Sequence, residues 1–434
     1  MIGGYGIGEM DKIESFRASK HMVNRMSSIG STNYRWVILS IVVSSQIVLS
    51  MGAFGWGPLA PFLKRAMSLS SIEIGTVCAS FYFASALSGF PAGIIVDRYG
   101  EKRGMITWLA LTGFPFLFLS FTHDNYFVFL IMVTIAGLGY GFGNPVASKI
   151  LYIWFGDGRA KGAVFGLRHS SVTIGASAAG LLLVYISQRK SPFMALHTVF
   201  WMIMIMTALV LLLYRTPGRR LDKQVRMVQK TTESILSRLM GFFKNRELLI
   251  ISFAGTMLGM AQGAFASFFP LYLNEEMGYS LPIAGTLFAT VTISGTVGRV
   301  FWGILGDLLF DSNHKPTLSI IAFFTFVSLI VLAFLTKNWP RWLFIISIIG
   351  IGISIWGWNG IILLIVSEIS GSSKTGITVG LTATFCWFGI SLGPMIFGLL
   401  THQFGYFCAW ISLAVLIFLS LFLCFFITRS TSYA

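Results

Sequence analysis

The amino-acid sequence predicts an all-α membrane protein with twelve transmembrane helices in two pseudo-symmetric six-helix bundles. Of its 434 residues, 55% are hydrophobic and only 11% are charged, whereas a soluble domain carries roughly 25% charged residues. Twelve apolar segments approach the length of about 20 residues that a helix needs to cross a bilayer. The two halves of the chain also share a pattern of glycine and acidic residues. A surface this poor in charge is expected to face lipid.

The twelve apolar segments, called spans 1 to 12 below, are joined by short polar loops. Glycine and proline inside them do not argue against membrane helices, because neighbouring helices can satisfy the freed backbone groups. The predicted bounds are 36–62, 72–96, 105–122, 126–153, 163–187, 193–214, 248–273, 282–305, 318–336, 342–369, 376–400 and 406–428.

Basic residues predict the orientation of these spans. An even number of spans puts both termini on one side, and that side holds 22 of the 31 Lys and Arg. Because cytoplasmic loops are enriched in Lys and Arg, both termini are expected in the cytoplasm. The short loops fit a bacterial inner membrane. The predicted divisions are a cytoplasmic tail 1–35, an N-terminal bundle 36–214, a basic cytoplasmic linker 215–247, a C-terminal bundle 248–428 and a tail 429–434.

An internal repeat relates the two bundles. At an offset of 210 residues, Gly75 and Thr76 meet Gly285 and Thr286, and the following glycine and aspartate of spans 2 and 8 also coincide. At an offset of 214, three glycines of span 5 meet glycines of span 11. In duplicated membrane folds of this kind, binding sites lie near the midplane at the interface of the repeats.

The loop after span 2 carries the strongest motif. It reads GIIVDRYGEKRG, from Gly93 to Gly104, and a weaker copy, GILGDLLF, starts at Gly303 after the duplicated span. This loop closely resembles the signature loop of the major facilitator superfamily, a family of secondary transporters. The resemblance covers nearly the whole chain and implies transport without naming a substrate.

The resemblance implies a gating role for the motif residues. An aspartate at a helix end can bind the positive N-terminal end of a neighbouring helix, and in the superfamily it forms part of a cytoplasmic latch. A glycine there lets two helices approach closely, and basic residues hold the loop at the anionic leaflet. A purely topogenic role for the basic residues is the alternative. The expected gating residues are Gly93, Asp97, Arg98, Gly100, Arg103 and Asp307.

Three cations lie inside predicted spans, where a charge is costly and indicates function. Arg168 is about two turns into span 5, and Arg299 is about two turns before Asp307 in span 8. Lys149 lies one turn from the inner end of span 4, where a lysine can instead extend to the membrane surface. We expect both arginines to face a central cavity and bind substrate.

The segment around Arg299 carries a second resemblance. Its sequence, GRVFWGILGD, is similar to the eighth helix of monocarboxylate, oxalate–formate and nitrate transporters, in which an arginine meets the anion. A guanidinium matches a carboxylate with two hydrogen bonds. The chain departs from those families at two positions. Gly89 stands where nitrate carriers have a second arginine, and Gly295 stands where proton-linked monocarboxylate carriers have an aspartate.

Polar and aromatic residues within the spans complete the candidate site, because small-solute sites are mostly apolar with a few placed polar groups. His169 and Glu368 are candidates for proton coupling, since a histidine titrates near neutral pH, although a packing role and an interfacial cap are the simpler interpretations. The remaining substrate-site candidates are Gln46, Asn144, Gln262, Trp358 and Asn359.

Other classes of function lack the residues they need. The sequence contains no H-E-x-x-H motif, and its four cysteines have no metal-ligand spacing. The net charge of +15 sits in tails and loops rather than in a nucleic-acid-binding surface. We therefore expect a monomeric, non-enzymatic secondary transporter without cofactor or metal, which moves a small organic anion, such as a carboxylate, with a coupled proton or counter-solute. The alternatives are a carrier of a neutral, amphipathic or drug-like solute, or a transport-deficient sensor.

Overall fold

The structure, a computed structural model, describes residues 34–155, 161–216, 235–310 and 314–430. Every regular element in these ranges is a helix. Ten of these helical segments are long and apolar enough to cross a membrane. The predicted tails and most of the predicted linker, at 1–33, 217–234 and 431–434, lie outside the described residues.

The helices follow the predicted spans closely at most positions. Spans 2, 3, 6, 7, 8 and 9 form single helices, whereas spans 1, 4 and 10 are each built from two consecutive helical segments and span 5 from three. In chain order the segments are 34–53, Trp56–Ala66, Ser71–Tyr99, Glu101–Leu119, Tyr126–Tyr140, Gly143–Phe155, Lys161–Ala178, the π-helix Ala179–Leu183, Val184–Arg189, Pro192–Leu213, Ile235–Lys244, Arg246–Glu275, Leu281–Phe310, His314–Phe334, Arg341–Ile355 and Asn359–Ser430.

The last of these segments contains spans 11 and 12 and the end of span 10. It has 72 residues, and a straight helix of that length would measure about 108 Å, far more than the ~30 Å of a bilayer core. The chain must therefore fold back. The rings of Phe397 and Trp410 are 4.4 Å apart, which places spans 11 and 12 side by side. Gly405, with φ +79°, supplies the left-handed conformation at this turn. The arrangement is consistent with twelve spans.

Spans 5 and 8 run antiparallel across the boundary between the two bundles. The hydroxyls of Ser177 and Thr292 lie 2.7 Å apart. Further along the same seam, a Cβ atom at Gly285 would overlap the carbonyl oxygen of Gly180, so the helices touch backbone to backbone. The contacting pairs, in order, are Gly180 with Gly285, Ser177 with Thr292 and Thr173 with Thr296.

The bundles also meet tightly at the end of the molecule that the positive-inside bias predicts to face outside, called the outer end below. Lys64 of span 1 forms an ion pair of 2.7 Å with Glu275 of span 7. Beside it, Arg65 donates to Asn274 at 2.9 Å. Glycine permits close approach here too, because a Cβ at Gly57 would overlap the carbonyl oxygen of Ala266. The outer end is therefore closed in this conformation.

Four spans that the sequence predicts as continuous helices are interrupted, span 1 at residues 54–55 and three others near the midplane. Span 4 turns at residues 141–142 and span 10 at residues 356–358. Span 5 widens into a π-helix at Ala179–Leu183. Such breaks free backbone carbonyl groups, and membrane proteins tolerate them where they line a cavity or are buried in protein. The breaks in spans 4 and 10 occupy equivalent positions in the two repeats.

Candidate site between the bundles

Arg168 lies at the centre of a polar cluster in the N-terminal bundle. Its side chain is only 3% exposed. It donates through Nη2 to Asn144 Oδ1 at 2.7 Å and to Gln46 Oε1 at 3.3 Å. Gln46 in turn donates to the Tyr140 hydroxyl at 3.4 Å. Spans 1, 4 and 5 thus supply the predicted residues, and the structure brings Arg168, Asn144 and Gln46 together as one group.

The Arg168 guanidinium retains one donor that has no partner. Its Nε atom is buried and makes no hydrogen bond. Leaving a buried donor of a charged group unpaired costs about 1–3 kcal/mol or more. Asn144, which holds the same guanidinium, is exposed, so the cluster reaches accessible space on the Asn144 side, whereas the unpaired Nε atom is buried.

Arg299 reaches across the boundary from the C-terminal bundle. Its Nε donates to the carbonyl oxygen of Trp356 at 3.1 Å, and its Nη1 donates to the carbonyl oxygen of His169. The first acceptor is free because span 10 is interrupted at this residue. The second belongs to the other bundle and directly follows Arg168 in the chain. The two arginines therefore lie in one layer between the bundles.

The C-terminal bundle contains its own polar pair. Asn359 donates through Nδ2 to Gln262 Oε1 at 2.9 Å. These residues are repeat partners of the first cluster, since Gln262 follows Gln46 by 216 residues and Asn359 follows Asn144 by 215. Each bundle therefore places a glutamine from its first span beside an asparagine that follows the break in its fourth span. Sequence offsets alone could have found this correspondence.

Two further predicted residues, Trp358 and His169, lie near this layer without a side-chain hydrogen bond to either arginine in the described structure. Trp358 is 1% exposed and its indole nitrogen has no partner, so its ring does not face accessible space in this conformation. His169 is half-buried, and the contact that links it to Arg299 uses its backbone carbonyl rather than its imidazole. A sequence can place these residues on a span but cannot give the rotation of a helix that is broken at its centre.

Glu368, predicted as a proton-coupling candidate, lies in a different cluster. The Nδ1 atom of His314 lies 2.9 Å from Glu368 Oε1, and its Nε2 atom lies 3.3 Å from Asp307 Oδ1. The imidazole is buried, with 3% of the residue exposed. It links the ends of spans 8 and 10 through the start of span 9. His314 is not among the site residues predicted from the sequence, although it stands only seven residues after Asp307.

The motif aspartate pairs within its own bundle. Asp97 Oδ1 lies 3.0 Å from Lys149 Nζ, and Lys149 also donates to the carbonyl oxygen of Val96 at 2.9 Å. Lys149 is therefore a partner of the motif rather than an unpaired cation of the cavity. The other basic residues of the motif, Arg98 and Arg103, are exposed.

The two motif glycines have different structural roles. Gly100 has φ +90°, a conformation that favours glycine, and it turns the chain between spans 2 and 3. A Cβ at Gly93 would meet Pro145 Cβ at 3.9 Å, which is ordinary contact. Close helix approach therefore does not require glycine at position 93 in this conformation.

The two positions at which the chain departs from anion carriers differ in available space. A Cβ at Gly295 would overlap the Cβ of Trp356, so an aspartate cannot fit there. At Gly89 the nearest atom to such a Cβ is the carbonyl oxygen of Gly141, at 3.9 Å, so a Cβ atom meets no clash there. The packing of span 10 thus excludes an acid one turn before Arg299.

The charge of the site is positive. Arginine stays protonated in proteins, and the acceptors that hold Arg168 and Arg299 are neutral amide and carbonyl oxygens. Within the described ranges, no carboxylate pairs with either guanidinium, and no group of three or more His, Cys, Asp or Glu side chains is arranged to hold a metal ion. The arrangement can bind an anion and orient it between the two bundles.

Comparisons with known proteins agree with this architecture. The chain is 23% identical to a hexuronate transporter of Bacillus subtilis over 59% of its own length and 60% of the relative's. It is 22% identical to the membrane sensor protein UhpC of Salmonella typhimurium over 77% of its length and 78% of the relative's. Its fold superimposes on a mutant of the nucleoside transporter NupG with a TM-score of 0.76, at 16% identity, over 90% of this chain and 99% of that one. The sequence model of the Major Facilitator Superfamily matches residues 42–394, and this chain is therefore a membrane-spanning member of that superfamily.

Proposed function

We propose that this protein is a secondary transporter that moves a small organic anion, such as a carboxylate, by alternating access between its two bundles. The observation that carries the proposal is the pair of arginines at the bundle boundary, Arg168 and Arg299, which contact only neutral acceptors among the described residues. An uncompensated charge within a membrane span is costly and indicates a ligand of opposite sign. The similarity to a hexuronate transporter supports an anionic substrate.

Arg299 is suited to couple the anion to the rocking of the bundles. It belongs to span 8, yet it donates to a backbone carbonyl of span 5 in the other bundle. An anion that attracts this guanidinium competes with the bond between the bundles. Since a ligand shifts a conformational equilibrium only through different contacts in the two states, this bond gives substrate binding a route to domain movement.

Substitution of Arg299 tests the proposal. Arg299→Ala should weaken binding of an anionic substrate about ten- to a hundredfold, because a charge-assisted hydrogen bond contributes roughly 1.5–3 kcal/mol. Arg299→Lys should not restore it fully, since an ammonium offers a point contact where guanidinium offers a planar fork. Uptake into proteoliposomes and binding to purified protein are the measurements. Arg341→Ala, which removes an exposed arginine just before the start of span 10, is the matched control.

A structural arginine would give a different pattern. Both substitutions at Arg299 would then lower the yield or melting temperature, while the surviving protein bound substrate normally. Transport at the parental rate by Arg299→Ala, or a cationic substrate, would refute the anion proposal and leave the family assignment intact.

The proposed setting is a bacterial inner membrane with both termini and the segment 215–247 in the cytoplasm. The bias of Lys and Arg supports this orientation. A coupled proton would use His169 or Glu368, and the protein would act as a monomer. Single-cysteine labelling with an impermeant maleimide tests the orientation, because positions in 274–281 should react from outside and positions in 215–247 should not.

Two other functions are distinguished by the same assays. A carrier of a neutral or drug-like solute should be insensitive to the charge at Arg299. A transport-deficient sensor, which the similarity to UhpC supports, should bind an anion with the same arginine dependence but show no uptake into proteoliposomes. Binding without transport would therefore replace the carrier proposal with the sensor.

A further inference from the structure

The two arginines form a single positive site of charge +2, although each bundle supplies only one of them. Arg299 donates to the carbonyl oxygen of His169, the residue next to Arg168. Gln46, which accepts from Arg168, also donates to the Tyr140 hydroxyl of span 4. The antiparallel contact of spans 5 and 8 fixes the proximity of the two arginines, because Thr173 and Thr296 are hydrogen-bonded about one turn further along.

A single negative charge would leave this site half neutralised. In a low-dielectric interior, two like charges repel strongly and each requires a counter-charge. The described acidic residues do not supply one, because the acids of spans 8 and 10, Asp307 and Glu368, are engaged by His314 at the inner end. The neutral amides around Arg168 orient its guanidinium without cancelling its charge.

An unpaired, buried donor marks where the ligand would bind once the cluster opens toward Asn144. The Nε atom of Arg168 is buried without a partner, while exposed Asn144 borders the same guanidinium. A ligand oxygen at this position would satisfy the orphaned donor. A second anionic group of the same ligand could reach Arg299 by replacing the carbonyl oxygen of His169.

We infer that the substrate of this site is a dianion with two separate acidic groups, one held by Arg168 and one by Arg299, so that the ligand bridges the two bundles. This inference rests on the proposed function and specifies its substrate class. A compact dicarboxylate, or a molecule that pairs a carboxylate with a phosphonate or sulfonate, has the required chemistry. A dianion in this position neutralises the repulsion between the bundles and favours their closure around it.

The test uses ligands that differ in charge but share one carbon skeleton. Succinate, succinamate and succinamide carry two, one and no negative charges, and the corresponding malonate and glutarate series cover shorter and longer spacings. Binding of each to the purified full-length protein is measured by calorimetry. At the best spacing, the dianion should bind about ten- to a hundredfold more tightly than its mono-amide, because it gains a second charge-assisted contact.

Removing one arginine should abolish this preference. Arg168→Gln keeps two amide donors at the position but loses the charge, so the ratio between dianion and mono-amide should fall to near one while the mono-amide still binds. Arg168→Lys keeps the positive charge and should retain part of the ratio between the affinities for dianion and mono-amide. This second variant keeps the test decisive if Arg168→Gln fails to fold. Arg189→Gln removes an exposed arginine from the end of the same span and should leave the ratio unchanged.

The outcomes separate this inference from the proposed function. Mono-amides that bind as tightly as dianions at all three spacings, with affinity that still depends on Arg299, would overturn the dianion and leave an anion carrier. If succinamide and its homologues bind as tightly as the charged ligands, both the dianion inference and the anion-carrier proposal are refuted. A charge preference that survives Arg168→Gln would place the second anionic group elsewhere and also overturn the inference.

Discussion

The contact between Gly180 and Gly285 offers a direct test of whether the two bundles separate during the transport cycle. A methyl group at Gly285 would overlap the carbonyl oxygen of Gly180 and lie 2.9 Å from Val184 Cγ2. Gly285→Ala should therefore destabilise the conformation with a closed outer end. Overpacking of this kind costs about 1–3 kcal/mol, which corresponds to a shift of roughly 5- to 150-fold in the equilibrium between the two states.

The expected shift can be read from a native cysteine. Cys78 is 1% exposed, and the neighbouring Ala79 accepts a hydrogen bond of 2.9 Å from Ser391 of the other bundle. Opening of the outer end should break this seam and expose the thiol. In a variant that keeps only this cysteine, Gly285→Ala should raise the rate of labelling by an impermeant maleimide added from outside.

A second glycine of span 8 provides the matched control. A methyl group added at Gly303 would meet no neighbouring atom within 4 Å, so Gly303→Ala makes the same chemical change to the same helix without a clash. It should leave the labelling rate of Cys78 unchanged. Equal labelling rates in the two variants and the parent would refute the reasoning, because the clash would then be absorbed without separating the bundles.

Two further predictions concern the inner end. Asp97→Asn should cut turnover sharply while leaving substrate binding and melting temperature nearly intact. The melting temperature should hold because Asp97 is 52% exposed in its pair with Lys149, and exposed ion pairs contribute only about 0–1 kcal/mol to stability. Parental turnover would leave the motif with a topogenic role alone. His314→Ala should lower stability by about 1–3 kcal/mol, because it removes the buried imidazole that bridges Asp307 and Glu368 and leaves two carboxylates near one another. The measurement is the melting temperature in detergent. An unchanged melting temperature would mean that the bridge does not stabilise the packing of spans 8 and 10.

Tertiary packing decided features that the local sequence could not express. Lys149 could be assigned either to the cavity or to the membrane surface until the fold placed it 3.0 Å from Asp97. Trp358 is a plausible lining residue by composition, but the interruption of span 10 turns it into the buried interior. The interruptions themselves are hard to predict, because glycine is common in unbroken membrane helices as well.

The sequence by itself determined the fold class and the approximate position of each span, and it singled out the two arginines of the proposed site. Lipid imposes these features locally, since a spanning segment must be apolar, helical and about 20 residues long. A charge within such a segment is costly and therefore indicates function. The sequence also contains the repeat that relates Gln46 to Gln262 and Asn144 to Asn359. Only the tertiary structure placed Arg168 and Arg299 in one layer, because their meeting depends on the antiparallel contact of spans 5 and 8, which are more than a hundred residues apart in the chain.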